Sequence, residues 1–203
     1  MLTSEKIEYT DRDTGKLGMW LFLFTELFLF GGLFLIYAVF RKEYAHDFHL
    51  GALDLNALIG TTNTVILLTS SMTVAMSLTA IQTNKPEKAY NLVLITVILA
   101  LLFLINKYFE WGHKIRLDIY PGSDLMKNLP PGEIMFFGLY YVMTGLHALH
   151  VIAGAVLLLI IMRQIKTGKI NQEHFLSQEN GALYWHLVDL IWIFLFPLLY
   201  LVT

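Results

Sequence analysis

Residues 17–40 read LGMWLFLFTELFLFGGLFLIYAVF, an apolar run closed by Arg41 and carrying one ionisable side chain, Glu26. At 1.5 Å per residue a helix of that length reaches roughly 36 Å, enough to cross a hydrocarbon core of about 30 Å with some tilt. The run is therefore expected to span a membrane. Glu26 would then lie well inside the bilayer. A carboxylate there is strongly unfavourable unless it is protonated, paired or turned into a protein interior. Thr25 is its only polar neighbour in the run, and it points to another side of the helix.

The rest of the chain has the same character. Of 203 residues, 56% are hydrophobic and 15% charged, against about 25% charged in a soluble domain. A net charge of −2 excludes a nucleic-acid binder driven by bulk charge. Cysteine is absent, which excludes disulfides, iron–sulfur clusters, thiolate zinc and haem attachment motifs. The first 16 residues, MLTSEKIEYTDRDTGK, are polar and mixed in charge. The apolar run behind them is too long for a cleaved secretory signal and ends in FRKEY, so it is expected to be retained.

Four more spans are expected, at about 57–81, 90–111, 134–162 and 181–202. The first of them is rich in Thr, Ser, Ala and Gly, which favours close helix contacts in lipid. The connection QTNKPEKA at 82–89 suggests an antiparallel hairpin. Residues 41–56 read as a loop, and prolines and glycines between His113 and Glu133 break any helix there. The expected fold class is all-α: a polytopic membrane helical bundle with five transmembrane helices over residues 17–203, preceded by a polar tail over 1–16. A small excess of Lys and Arg on one set of connections places the N-terminus in the cytoplasm and the C-terminus outside.

The ionisable groups at depth are Glu26, His147, His150, His186 and Asp189, with Glu110 and His113 near one end of the third span. Metal or haem binding would need a complete ligand set. A di-iron bundle requires two Glu-x-x-His pairs and two further glutamates, and only Glu110–His113 has that spacing. Two histidines from different helices could still face one haem. A proton relay uses buried Glu, Asp and His, but no span has a Gly/Pro break in its middle, and five spans do not divide into inverted halves. In the third reading the groups are structural. His186 and Asp189, three residues apart on one face, bond to each other or to neighbours, and His147 and His150 donate to hydroxyls such as Thr144 or to other helices. Arg163, Lys166 and Lys169 follow the fourth span and can reach lipid phosphates.

Four stretches together resemble the cytochrome c oxidase subunit III family of the haem-copper terminal oxidases: GMWLFLFTELFLFGGLF (18–34), TTNTVILL (61–68), FFGLYYVMTGLHALHVIAG (136–154) and GALYWHLVDLIWIFLFPLLY (181–200). The resemblance covers essentially all of residues 17–203. It corresponds to the five-span bacterial form, which lacks the first two helices of seven-span members.

The resemblance implies an accessory subunit without catalytic residues, metal, haem or copper of its own. Haem and copper are expected in partner subunits. The implied partner is subunit I, which reduces oxygen and pumps protons, with other oxidase subunits and structural phospholipids around it. The implied location is the bacterial inner membrane, with a periplasmic C-terminus. Glu26 matches the family's buried glutamate, and Glu110 matches a carboxylate on the neighbouring helix. Arg163 matches a basic residue that contacts a lipid headgroup, with Lys166 beside it. His147, His150, His186 and Asp189 match positions read as an internal polar network. A quinol oxidase subunit III or an accessory protein of nitric oxide reductase would share this fold. An independent proton-coupled carrier is the rival from another class.

Overall fold

The structure, a computed structural model, describes residues 2–201, with side chains from residue 13 to residue 201. Met1, Val202 and Thr203, at the ends of the expected tail and last span, lie outside the described residues, as do the tail's side chains before Asp13. Among the described residues there are seven helices and no strand: α1 (Leu2–Glu43), α2 (Ala45–Leu53), α3 (Ala57–Gln82), α4 (Pro86–Arg116), α5 (Asp124–Lys127), α6 (Pro131–Lys166) and α7 (Leu176–Tyr200). Five of them, α1, α3, α4, α6 and α7, are long and apolar enough to cross a membrane.

Local chemistry sets the ends of these helices. Asn56 caps α3 by accepting the Leu58 and Ile59 N–H groups at 3.0 and 3.2 Å. Pro86 and Pro131 open α4 and α6, where a missing N–H is harmless and the fixed φ suits a helix. The α3–α4 hairpin turns through Asn84, whose φ of 54° is in the left-handed region that Asn tolerates.

Helices α3, α4, α6 and α7 form a closed ring in which each packs on its two neighbours, while α1 leans on α6 and α7 from outside. Trp185, Trp192, Phe103, Phe136, Phe137 and Tyr140 fill the ring. The backbones of α6 and α7 come close at Gly154, where an added Cβ would lie 2.8 Å from the Trp185 ring. Tyr37 donates its hydroxyl to the Leu198 carbonyl and so ties α1 to α7.

One segment differs from the sequence expectation. The expected 41–56 loop instead holds the end of α1 and the whole of α2. Phe48 of α2 is fully buried, with its ring 5.3 Å from that of Tyr37 and 5.5 Å from that of Phe136. Asp47 accepts the Gly132 N–H at 3.2 Å in the first turn of α6, whose own cap, Pro130, provides no side-chain bond. A short helix that caps a longer one gains its stability from these contacts rather than from its own propensity. The α1 backbone is helical from Leu2, so the expected polar tail runs into the first span as one helix. The broken segment after α4 holds the single turn α5, capped by Ser123.

Candidate functional site

Two acid-centred clusters lie within the spans. In the first, Glu26 of α1 turns inward and meets His150 of α6, Oε2 to Nε2, at 2.8 Å. Each side chain is 14% exposed. The other ring nitrogen, Nδ1, lies 2.8 Å from the Leu146 carbonyl. A carbonyl only accepts, so Nδ1 carries a proton. The Nε2–Oε2 link then holds one further proton, either on the acid or on an imidazolium. Either state satisfies the carboxyl group, which resolves the difficulty of an acid inside a span. Phe30 closes one side, its ring centre 5.3 Å from that of His150 in an edge-on arrangement, and the Tyr184 hydroxyl donates to the His150 carbonyl at 3.2 Å.

The second cluster is centred on Glu110. Tyr140 of α6 and Tyr200 of α7 both donate to Glu110 Oε1, at 2.7 and 2.5 Å. Lys107, one turn earlier on α4, donates to Oε2 at 3.0 Å and to the hydroxyls of Tyr200 and Tyr140 at 2.9 and 3.3 Å. All three ammonium donors are thus used, and the carboxylate accepts three bonds. Lys107 and Glu110 are 4% and 5% exposed. A pair this deep is tolerable only when its remaining valences are satisfied, as they are here. The cluster pins α4, α6 and α7 to one another.

Hydroxyls along α3 make a third set of contacts. Trp185 and Trp192 donate their indole N–H groups to Ser70 and Thr64, each at 3.0 Å. Thr73 meets Thr96 at 2.8 Å, Asn106 donates to Asn63 at 2.9 Å, and Gln178 donates to Ser77 at 2.9 Å. The other expected polar residues fall around this ladder. His186 Nδ1 pairs with Ser71 Oγ at 2.6 Å. Ser71 also faces Asp189, whose Oδ1 has no partner among the described residues. His147 stands apart. It is fully buried between Phe103 (5.5 Å) and Trp192 (5.2 Å), and neither ring nitrogen has a hydrogen-bond partner among the described residues.

The structure therefore brings Glu26 together with His150 and keeps this pair separate from Glu110, His186 and Asp189. Lys107, Tyr140 and Tyr200 are central to the second cluster, and the sequence reading did not assign them. The Lys107–Glu110 spacing of three was the available signal; Tyr140, beside Tyr141, reads in sequence as a ring of an interfacial belt but is fully buried, and nothing marked Tyr200. Arg163 and Lys166 are exposed at the end of α6. Lys166 lines an open cleft of about 520 Å³ with Glu87 and Tyr90 at the start of α4. Among the described residues no group of three or more His, Cys, Asp or Glu is arranged to hold a metal ion.

Five apolar helices, a four-helix ring and internal acids bonded across helices define a multi-pass membrane protein. Comparison with known families is specific. The profile described as "Cytochrome c oxidase subunit III" matches residues 8–203. Cytochrome c oxidase subunit 3 of the cyanobacterium Thermostichus vulcanus is 31% identical over 195 residues, covering 94% of this chain and 89% of that protein. The same-named protein of Synechocystis is 32% identical over 190 residues, covering 93% and 76%. A protein of Aeropyrum pernix named "Heme-copper oxidase subunit I+III" is 29% identical over 197 residues, covering 94% of this chain and 23% of its own length. The chain belongs to the cytochrome c oxidase subunit III family, and with it to the accessory subunits of the haem-copper respiratory oxidases.

Proposed function

We propose that this chain supports the oxygen-reducing, proton-pumping subunit I of a bacterial oxidase and binds neither haem nor copper itself. The observation that carries the reading is the match over nearly the whole chain to subunit III, joined to the relative in which a subunit III segment is part of one polypeptide named for subunits I and III. Two parts of one polypeptide are held at high effective concentration, which suits partners that function side by side.

The chain then lies in the inner membrane, with residues 1–16 cytoplasmic and the C-terminus periplasmic, following the charge asymmetry of its connections. The Glu26–His150 pair, and the Glu110 cluster with Lys107, Tyr140 and Tyr200, fix the register of the helices against one another. Arg163 and Lys166 face headgroups at the cytoplasmic end and retain structural phospholipid there. The test is purification through a tag on this chain. A haem-copper subunit should co-purify, and the chain isolated from it should show no haem spectrum. A stoichiometric haem spectrum from the isolated chain would overturn the proposal.

A further inference from the structure

A cleft of about 550 Å³ lies between the α2–α3 connection and the last turns of α4, at the end of the bundle opposite Arg163 and Lys166. Its walls include Leu55, Ile59 and Phe109, and its polar lining includes Asp54, Glu110 and Lys114. Lys114 is 4% exposed. Its ammonium donates to the Asp54 carbonyl at 3.0 Å and sits 5.3 Å from the centre of the Phe137 ring. An ammonium has three donors and the carbonyl takes one, so two N–H groups remain, one of them for a group in the cleft. The Asp54 carboxylate is exposed beside it. A buried cation and an accessible carboxylate thus stand side by side above apolar walls.

The level of the cleft is marked by Tyr108 and Trp111, on the same turns of α4, with Tyr141 packed on Trp111 at 5.4 Å. Such rings collect at the headgroup level of a bilayer. Further into the bilayer, α4 exposes Leu102 and Ile105 alongside Val65 of α3, a surface suited to acyl chains.

We propose that this cleft binds a zwitterionic aminophospholipid, with the phosphodiester at Lys114, the ammonium at Asp54 and the chains along α3 and α4. An anionic glycerol headgroup would meet the exposed Asp54 carboxylate without a positive charge to offer it. A trimethylated headgroup has no N–H to donate. The inference rests on the reading of the chain as a membrane subunit that retains lipid, and it assigns a site distinct from Arg163 and Lys166.

The test is a lipid count on this chain after purification of the complex from nanodiscs containing equal phosphatidylethanolamine and phosphatidylglycerol. The wild-type chain should retain phosphatidylethanolamine preferentially. Asp54→Asn removes the carboxylate but keeps the carbonyl that holds Lys114. It should lower the retained ethanolamine-to-glycerol ratio about fivefold, the equivalent of an ion pair worth about 1 kcal/mol. Ala57→Phe, at an exposed position lining the cleft, should displace one lipid without altering charge. Wild-type ratio and count in both variants would overturn the site. Loss of lipid in Arg163→Ala with no change in these two variants would overturn this site alone and leave the wider lipid-retaining reading standing.

Discussion

Lys107→Met would leave the Glu110 carboxylate buried, with only two tyrosine hydroxyls to oppose its charge. The structure sets the scale. Both partners are at most 5% exposed, their ion pair is 3.0 Å long, and the lysine ammonium also bonds both tyrosines. Removing one member of so buried a pair typically costs about 3–5 kcal/mol, mostly from stranding the other charge. Replacing both members tests that reasoning. In Lys107→Met/Glu110→Leu no charge remains, and the Tyr140 and Tyr200 hydroxyls, released from Glu110 with their rings 6.5 Å apart, are free to bond to each other. The double variant should therefore cost only about 1–2 kcal/mol, less than Lys107→Met alone. The assay is denaturant unfolding in mixed micelles followed by tryptophan fluorescence, since Trp192 lies 5.6 Å from the Lys107 ammonium. A single-variant loss below about 1 kcal/mol, or a double-variant loss equal to the sum of the singles, would refute a stranded charge as the cause.

Three other outcomes are expected. Glu26→Gln should leave the yield of assembled complex unchanged, because an amide can still donate to His150 Nε2; collapse of assembly would show that an ionic pair is required. Arg163→Ala should loosen bound phospholipid more than Lys169→Ala does, and equal retention by mass spectrometry would count against a headgroup contact at Arg163. Trp185→Phe should lower unfolding stability by about 1 kcal/mol for the lost bond to Ser70, plus a packing loss beside Gly154, while Ser70→Ala in the Trp185→Phe background should add little.

The five spans were legible because the length and apolarity of a run directly report the solvent that must surround it. Helix α2 was not. Its nine residues, AHDFHLGAL, bury Phe48, Gly51 and Ala52 against elements distant in sequence, and a loop with two histidines looks the same before those contacts exist. Glu26 was conspicuous as a lone acid in an apolar run, yet its partner is 124 positions away on α6, a separation that no local spacing rule covers. His186 and Asp189 share a helix face as expected, but it is Ser71 of α3 that engages the histidine, and the hydroxyl-rich composition of α3 hinted at such contacts without saying which helix would receive them. Lys107 and Glu110 could have been paired from their spacing alone. Tyr140 and Tyr200 join them only through the packing of α6 and α7 on α4.

A density map of the complete oxidase, purified through a tag on this chain, bears most directly on the central claim. It should show the chain beside a haem-copper subunit, with Glu26 bonded to His150 and no porphyrin between its own helices. Particles that contain the chain without a haem-copper subunit, or a porphyrin ligated by its own histidines, would contradict the account.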